Sequence, residues 1–448
     1  MWVHFIAIGG SVMHQLAICL QNKGYKVTGS DDEIFDPAAT NLKNAHIFPE
    51  FSGWFPDKIE KNIDAIILGM HAQKDNPELL KAQELGLKIY SFPEYIYQQS
   101  LTKTRIAIAG SHGKTTTSAM VMHVLKKANV SFDYLVGARL EGFDQSVSIT
   151  DAPVIVCEAD EYPASSLEPR PKFHFLFPHI AVITGIAWDH VNVFPTFDFY
   201  LEQFIIFIGK IEKNGTLIYN KTDEELVNLI QKCKRDDLKY VPYELPEYEI
   251  KKGKTMILSD KLKYPISVFG LHNLLNLQAA RLVCEQLNIP ADTFLKEVGG
   301  FMGAAKRLEL IHSTDLMNVY RDFAHAPSKV KASVNAVKDQ FPQRKLIAIL
   351  ELHTYSSLTG NFLKEYKSTL DSADEAIVFY SRHALEIKKL PMLNTVEVEN
   401  GFDKKGLKVM TETSELESLI RSIDKVNVNF LFMSSGDYGG LPIMTILN

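Results

Sequence analysis

Short apolar runs alternate with stretches of helical spacing along residues 1–100. The apolar runs predict buried strands over residues 3–8, 25–28, 65–68 and 87–90, and residues 12–23 carry Met, Leu and Ile at the spacing of a helix. Two adjacent glycines, Gly9 and Gly10, indicate a turn between the first strand and that helix. Strands that alternate with helices favour a parallel sheet with helices on its faces.

The same alternation begins again twice further along the chain. Strands are predicted over residues 105–109, 153–157 and 180–184, with helices over 115–127 and 271–287. Residues 221–263 are polar and broken by Pro242 and Pro246, so we expect this segment to be peripheral. Further strands are predicted over 318–321, 346–350, 375–380 and 429–433. We therefore expect an α/β protein with three domains, over residues 1–100, 101–309 and 310–448.

Composition and charge narrow the class of protein. The chain has 448 residues, a net charge of −6 and four cysteines. Its densest basic stretch, residues 251–254, is typical of a solvated turn, so we expect no nucleic-acid partner. The cysteines are not at metal-ligand spacing, no apolar run reaches the roughly 18 residues of a membrane span, and the N-terminus lacks the features of a signal peptide. We therefore expect a cytoplasmic protein without a membrane partner.

The strongest chemical motif is the sequence Gly110-Ser111-His112-Gly113-Lys114-Thr115-Thr116, between a predicted strand and a predicted helix. Backbone N–H groups at a glycine-rich bend and at a helix N-terminus bind phosphate oxygens. Lys114 is expected to contact the β- and γ-phosphates of a nucleotide, and the Thr115 hydroxyl to help to hold Mg²⁺. Ile108 stands where the usual P-loop has its first glycine, so the motif is a shortened variant. A helix N-cap after a tight turn is the alternative.

Acidic side chains follow the strand predicted over 153–157. Glu158, Asp160 and Glu161 stand close together there, where carboxylates suit the cation that accompanies a nucleotide. A solvated acidic loop is the alternative. His190 follows the strand predicted over 180–184, where it is either a metal ligand or a core histidine. Because open parallel sheets bind ligands beyond the carboxyl ends of their strands, we favour the metal ligand.

A second candidate site lies at the start of the chain. Gly9 and Gly10 follow the first strand, and Asp31 follows the next, an arrangement that is typical of a dinucleotide-binding turn. The full G-x-G-x-x-G pattern is absent, and both NAD and a UDP group fit what remains. For His14 the alternative is an ordinary exposed position on the helix. The candidate contacts are Gly9, Gly10, Ser11, His14, Asp31 and His71, and Asn76, which like His71 follows the strand predicted over 65–68, is a further candidate for the same cleft.

Six motifs, taken in order along the chain, resemble those of the Mur ligase family, whose members build the peptide of bacterial cell-wall precursors. They are residues 110–116, 158–161, 189–190, 270–276 (Gly-Leu-His-Asn-Leu-Leu-Asn), 306–307 (Lys-Arg) and 322–325 (Asp-Phe-Ala-His). The resemblance implies a Rossmann-like N-terminal domain that binds a UDP-sugar, a central P-loop domain that binds ATP, and a Rossmann-like C-terminal domain that binds the amine substrate. It therefore favours UDP over NAD at the first site.

The resemblance also implies roles for individual residues. The ATP contacts would be Gly110, Ser111, Gly113, Lys114, Thr115, Thr116, His272, Asn276, Arg307, Asp322 and His325. The Mg²⁺ ligands would be Thr115, Glu158 and His190. The catalytic residues would be Lys114, Glu158, His190 and Arg307. Such a site would be complete only when the second and third domains close on each other.

The implied activity is that of an ATP-dependent ligase, which activates the lactyl carboxylate of UDP-N-acetylmuramate as an acyl phosphate and joins it to an amine. Segments such as 170–173 (Arg-Pro-Lys-Phe) and 433–435 (Met-Ser-Ser) resemble the branch that attaches L-Ala-γ-D-Glu-meso-diaminopimelate in peptidoglycan recycling. The branch that attaches L-alanine in peptidoglycan synthesis is the alternative. We expect the amine at the polar loops 351–357 and 434–440.

Three other classes compete with this interpretation. A ligase that adds glutamate to folates would share the ATP chemistry, but residues 1–100 argue against it because such ligases lack a full UDP-binding domain. An ATP-binding protein without ligase activity would release no phosphate in response to the sugar and the amine. A nicotinamide oxidoreductase is supported by residues 1–31 alone.

Overall fold

The structure is a computed structural model, and it describes residues 1–137, 140, 142–143, 145–165, 167–188 and 193–447. The chain divides into two compact units: Met1–Glu244 with Leu275–Glu297, and Leu245–Leu274 with Val298–Asn448. The described strands form four sheets, two in each unit. None of the described helices is long and apolar enough to cross a membrane.

The first sheet of the first unit contains four parallel strands. The strands are β1 (Trp2–Ile6), β2 (Lys26–Ser30), β3 (Ala65–Leu68) and β4 (Ile89–Ser91), and the helices are α1 (Met13–Asn22), α2 (Ala38–Asn44), α3 (Pro77–Glu84) and α4 (Phe92–Gln99). The strand order is β2-β1-β3-β4, with all neighbours parallel, as the alternating pattern predicts. The first strand ends at Ile6 and does not reach residue 8 as predicted, because Ala7 has a positive φ of 67° and turns the chain.

The second sheet of this unit contains seven strands. They are β5 (Thr104–Ala109), β6 (Asp133–Leu135), β7 (Val147–Ser148), β8 (Val154–Glu158), β9 (Ile180–Ile183), β10 (Thr216–Asn220) and β11 (Lys239–Tyr243), with helices α5 (Lys114–Lys127), α6 (Phe197–Gly209) and α7 (Glu224–Lys232). The order is β11-β10-β9-β5-β8-β6-β7, and only the β6–β7 pair is antiparallel among these described strands. Helices α8 (Leu271–Gln286) and α9 (Ala291–Val298) follow later in the chain.

The second unit contains an antiparallel sheet of three strands and a mixed sheet of six. The strands are β12 (Tyr248–Lys251), β13 (Lys254–Ser259), β14 (Leu262–Ile266), β15 (Glu309–Ser313), β16 (Met317–Asp322), β17 (Lys345–Glu351), β18 (Glu375–Phe379), β19 (Lys408–Met410) and β20 (Val428–Met433), and the helices are α10 (Pro327–Gln340), α11 (Arg382–Ile387), α12 (Thr395–Phe402), α13 (Thr413–Ser422) and α14 (Ile443–Leu447). The six-stranded order is β15-β16-β20-β17-β18-β19, with only β15 antiparallel to its neighbour.

The polar segment 221–263 contains more regular structure than its composition indicates. It includes α7 and β11 to β13, none of which the hydrophobic pattern predicts. Pro242 lies within β11, which is tolerated because β11 is the edge strand of its sheet and one side of its backbone needs no partner. The predicted α/β class is nevertheless confirmed, since parallel sheets dominate both units.

Strand order brings distant parts of the chain to one sheet edge. β5 lies between β8 and β9, so the loop after β5, the acidic residues after β8 and the segment after β9 all leave the sheet at the same end. In the six-stranded sheet, β20 lies between β16 and β17. Asp322, Ser434 and Glu351 stand at or just after the carboxyl ends of these three strands.

Candidate active site

The glycine-rich loop 110–113 connects β5 to α5. Gly110 and Gly113 have φ angles of +124° and +82°, which favour glycine. A Cβ atom on Gly110 would overlap Thr184 Oγ1, and one on Gly113 would overlap Asn276 Oδ1. The loop is therefore closely packed at the N-terminus of a helix, a position that suits an anion. It also lies against Asn276, which is one of the sequence-predicted ATP contacts.

Lys114 is the first residue of α5, and two acceptors hold its ammonium group. Nζ donates to Gly110 O at 2.7 Å and to Glu161 Oε2 at 2.7 Å. Burial acts to lower the pKa of Lys114, but the neighbouring carboxylates, above all Glu161, outweigh it and raise the pKa above its usual value. The side chain is therefore a fixed cation beside the loop.

Thr115 and Glu158 meet at the same point. Thr115 Oγ1 donates to Glu158 Oε1 at 2.8 Å, and the other carboxylate oxygen accepts the backbone N–H of Gly137 at 3.0 Å. Glu158 is the last residue of β8, so the carboxylate lies at the sheet edge that the sequence predicts. The hydroxyl and the carboxylate are both oxygen ligands of the kind that Mg²⁺ prefers.

The third predicted metal ligand, His190, lies outside the described residues, as does Asp189. Among the residues that the structure does describe, no three His, Cys, Asp or Glu side chains come together as a metal site. The oxygens of Thr115 and Glu158 nevertheless fit Mg²⁺, because both are hard donors beside a loop that suits phosphate. Trp188, the last described residue before Asp189, donates a hydrogen bond from its Nε1 to Phe194 O at 3.0 Å.

A buried hydroxyl network that the sequence did not reveal supports Lys114. Tyr200, on α6, lies with its hydroxyl 2.8 Å from Ser111 Oγ and 3.4 Å from Glu161 Oε1. Ser111 Oγ also accepts the backbone N–H of Ala187 at 2.8 Å. Tyr200 stands in a strongly apolar helix, so its sequence context indicates core packing. Only the folded chain places its hydroxyl beside the loop.

One cavity joins the two sites that the sequence predicts separately. It has a volume of about 260 Å³ and lies within the first unit. Ser11, from the glycine turn after β1, and Glu158 both line it. So does Lys172, which forms a 2.6 Å ion pair with Asp160. The lining residues are Ser11, Val12, Phe92, Pro93, Leu135, Val136, Gly137, Glu158, Asp160, Lys172 and Leu176.

The glycine turn after β1 is tied to Asp31. The carboxylate of Asp31 accepts the backbone N–H of Gly9 at 2.6 Å, and a Cβ on Gly9 would lie 2.9 Å from the same oxygen. Burial, with Asp32 as a neighbour, raises the pKa of Asp31 to about 6. His14 is 3% exposed and its Nδ1 lies 2.9 Å from Gly10 O, so it is a buried residue and not an exposed one.

Two other residues near the first sheet do not join this turn in the same way. His71 is exposed in a turn after β3. Asn76, which the sequence places near the same strand end, is the N-cap of α3, where its side chain accepts the N–H groups of Glu78 and Leu79. The capping role explains Asn76 without a ligand.

Thr116, on α5, belongs to the first unit, whereas the predicted ATP contacts His272, Arg307, Asp322 and His325 belong to the second. Asp322 is buried and accepts a hydrogen bond from Ser333 Oγ. Burial lowers the pKa of His272, although the carboxylate of Asp322 acts to raise it. His325 Nδ1 lies 2.8 Å from Phe323 O. The guanidinium of Arg307 lies over the ring of Phe323, 4.9 Å from its centroid. Phe323 therefore joins the Lys306–Arg307 motif to the Asp322–His325 motif.

Sequence profiles of three domain families match consecutive parts of the chain. The profile described as "Mur ligase family, catalytic domain" matches residues 2–103, "Mur ligase middle domain" matches 108–284, and "Mur ligase, glutamate ligase domain" matches 306–435. The UDP-N-acetylmuramate–L-alanine ligase of Sulfurihydrogenibium sp. (strain YO3AOP1) is 31% identical over 384 residues, which cover 84% of this chain and 82% of that protein.

Two solved structures have the same fold along the whole chain. The UDP-N-acetylmuramate–alanine ligase of Thermotoga maritima has a TM-score of 0.70 at 22% identity and covers 100% of this chain and 98% of its own. The murein peptide ligase of Psychrobacter arcticus has a TM-score of 0.63 at 22% identity, with the same coverage of 100% and 98%. The chain therefore belongs to the Mur ligase family, whose members are ATP-dependent ligases of peptidoglycan synthesis. The predicted family and its three-domain α/β architecture are confirmed, and the boundaries near residues 101 and 309 stay predictions.

Proposed function

We propose that this ligase joins the lactyl carboxylate of UDP-N-acetylmuramate to the free amine of L-Ala-γ-D-Glu-meso-diaminopimelate, in peptidoglycan recycling. The assignment of the sugar substrate is supported by the cavity that both Ser11 and Glu158 line. With its UDP group at the glycine turn, UDP-N-acetylmuramate would extend along this cavity, so that its lactyl carboxylate approaches the phosphate loop. Gly9, Gly10, Ser11, Asp31 and His71 are the proposed contacts of the UDP-sugar.

ATP is proposed to bind at loop 110–113 with its phosphates at the N-terminus of α5. Backbone N–H groups and the fixed ammonium of Lys114 suit the phosphates. Asn276, beside Gly113, is a proposed contact of the nucleotide. When bound at Thr115 and Glu158, with His190 as a further proposed ligand, Mg²⁺ would supply positive charge between the phosphates and the substrate carboxylate.

The second unit is proposed to supply further contacts to both substrates. Arg307, Asp322, His325 and His272 are proposed ATP contacts. The loops 351–357 and 434–440, at the carboxyl ends of β17 and β20, are the proposed site of the amine, because ligands of parallel sheets bind beyond these strand ends.

The proposed reaction has two steps. A lactyl carboxylate oxygen attacks the γ-phosphorus of ATP, ADP leaves, and an acyl phosphate forms. Lys114 stabilises the charge that spreads over the transferred phosphoryl group, and Arg307 is proposed to do the same. The amine then attacks the acyl carbon, and inorganic phosphate leaves. ATP and UDP-sugars are cytoplasmic metabolites, so we propose that the reaction occurs there.

The amine substrate separates two members of the family. Residues 170–173 and 433–435 favour the tripeptide. L-Alanine is the second candidate, and it is favoured by the name of the 31% identical relative, a UDP-N-acetylmuramate–L-alanine ligase.

Phosphate release with ATP and UDP-N-acetylmuramate tests this proposal directly. With the tripeptide as amine, we expect kcat/KM to exceed the value for L-alanine by at least about 10-fold. The Lys114→Met variant serves as the control, since it should release no phosphate with either amine. A preference for L-alanine would refute the tripeptide assignment, and phosphate release that does not depend on UDP-N-acetylmuramate would refute the sugar assignment.

A further inference from the structure

A buried carboxylate and a partly exposed imidazole form a pair at the edge of the six-stranded sheet. Glu351 is the last residue of β17, and it is 2% exposed. Its Oε2 accepts hydrogen bonds from Ser434 Oγ and from the backbone N–H of Tyr438, the latter at 2.9 Å. Its Oε1 lies 3.5 Å from Nδ1 of His353. The carboxylate is therefore fixed by the loop after β20 and faces the imidazole.

The imidazole is held on one side and accessible from the other. The side chain of His353 is 38% exposed. A Cβ on Gly436 would lie 2.6 Å from its Nδ1, so the loop 434–440 packs directly against that edge of the ring. A carboxylate beside Nδ1 favours the tautomer with the proton on Nδ1, which leaves the lone pair on Nε2. The pair thus has the arrangement of a base and its orienting group.

The position of the pair links it to the proposed ATP contacts. The strand order β16-β20-β17 places Ser434 between Asp322 and Glu351. The backbone N–H of Ser434 donates to Asp322 O at 3.0 Å, while the hydroxyl of Ser434 donates to Glu351. The carboxylate of Asp437, within the loop 434–440, accepts the N–H of Gly439 at 3.2 Å. Within the part of the chain that the structure describes, the carboxylate of Glu351 is therefore the one that faces the imidazole of His353.

We propose that His353 is the general base that removes a proton from the incoming amine, and that Glu351 positions it. This inference rests on the proposed function, because it assigns a role within the amine site. An amine bound as an ammonium ion has no lone pair for attack on the acyl phosphate. A base within reach of it is required before the C–N bond can form.

The amine nitrogen loses two protons as the amide forms. The ammonium group loses one proton to Nε2 of His353, and the nitrogen lone pair attacks the acyl carbon. The C–N bond forms, and the bond between that carbon and the phosphate oxygen breaks. The phosphate leaves with the electron pair and takes the second nitrogen proton. Protonated His353 then returns its proton to water, and Glu351 stabilises the transient imidazolium.

Hydroxylamine separates this role from a structural one. Unlike an amino acid or peptide amine, hydroxylamine is largely unprotonated at neutral pH, so it can attack an acyl phosphate without a base. In His353→Asn we expect kcat for amide formation to fall roughly 100-fold to 10,000-fold, while hydroxamate formation from UDP-N-acetylmuramate, ATP and hydroxylamine stays near the wild-type rate. The matched control is His383→Asn, because His383 forms an exposed pair with Glu386 at 3.6 Å on α11.

The outcomes distinguish this inference from the proposed function. If the wild type forms no hydroxamate in the presence of UDP-N-acetylmuramate, the proposed function itself is wrong. If the wild type does so and His353→Asn loses amide and hydroxamate formation equally, His353 has a structural role and the inference is overturned. Undiminished amide formation in His353→Asn overturns it as well. Selective loss of the amide product, with His383→Asn unchanged in both reactions, supports it.

Discussion

The hydroxyl of Thr115 donates a 2.8 Å hydrogen bond to Oε1 of Glu158. This contact joins the first turn of α5, which follows β5, to the last residue of β8. The two residues are far apart in sequence, and the parallel pairing of β5 with β8 brings them together. Thr115 and Glu158, two of the proposed metal ligands, are therefore preassembled by the sheet.

Glu158→Gln tests whether this carboxylate binds the metal. The amide keeps the size and an acceptor oxygen but loses the negative charge. We expect the Mg²⁺ concentration for half-maximal phosphate release to rise at least about 10-fold at saturating ATP. Thr115→Ser, which keeps the hydroxyl, should shift the Mg²⁺ curve much less than Thr115→Val. An unchanged Mg²⁺ curve for Glu158→Gln would exclude the assignment.

The Lys114–Glu161 pair makes a prediction about stability as well as activity. The two side chains are 13% and 1% exposed, so removal of the cation leaves a carboxylate buried without it. Lys114→Met should abolish phosphate release and lower the free energy of unfolding by about 3–5 kcal/mol. Urea denaturation and phosphate release measure the two effects.

A second substitution separates these effects of Lys114→Met. Adding Glu161→Gln removes the buried charge, so the double variant should recover most of the lost stability and none of the activity. A double variant as unstable as Lys114→Met would show that the ion pair does not account for the loss.

Gly113→Ala tests the packing of the phosphate loop. An alanine at a φ of +82° costs about 1–2 kcal/mol, and its Cβ would overlap Asn276 Oδ1. We expect lower thermal stability and a higher KM for ATP, with little change in the KM for UDP-N-acetylmuramate. Gly209→Ala is the matched control, because open space surrounds that position on α6 and the substitution should be neutral or slightly stabilising. An unchanged KM for ATP in Gly113→Ala would argue against nucleotide binding at this loop.

Asp31 predicts a pH dependence of stability. Burial raises its pKa from the usual 3.8 to about 6. Between these two pH values, Asp31 is therefore mostly protonated in the folded chain and mostly ionised in the unfolded chain. The contribution of Asp31 to stability therefore falls as pH rises from 3.8 to about 6, and above that range the ionised group is a net cost of up to about 3 kcal/mol.

Asp31→Asn removes this titration and keeps an acceptor for Gly9 N–H. Relative to the wild type, the variant should gain stability steadily as pH rises through this interval, as measured by urea denaturation at several pH values. Asp36→Asn is the contrasting control: hydrogen bonds from Thr40 lower the pKa of Asp36, so its contribution is instead lost as pH falls. A difference between wild type and Asp31→Asn that does not vary with pH would contradict the raised pKa.

Local chemistry explains which parts of the site were predictable. Gly110, Gly113 and Lys114 form a short contiguous motif, and their backbone angles and helix position follow from neighbours in sequence. Apolar runs likewise predicted the positions of the central strands, since a buried parallel strand needs apolar residues on both faces. The polar strands β12 and β13 were missed because most of their residues are exposed or only partly buried, and their sequences show no strong hydrophobic periodicity.

Contacts between distant segments were not predictable in the same way. Tyr200 looks like a core residue in an apolar helix, and Asn76 looks like a site residue although it caps α3. Glu351 and His353 are close in sequence, but the hydrogen bonds that fix the carboxylate of Glu351 come from Ser434 and Tyr438, in the loop 434–440. Both loops are expected at the amine site because both follow predicted strands, but the sequence does not indicate these contacts between them.

The sequence by itself determined the α/β class, the phosphate loop and the family, because these depend on residue type, short spacing and the order of motifs. Only the tertiary structure decided which groups meet: Lys114 with Glu161, Ser11 with Glu158 around one cavity, and His353 with Glu351. The physical reason is that hydrogen bonds, ion pairs and cavities depend on distances in space. Strand order sets those distances, and it follows from how all the strands pack together and not from any one segment.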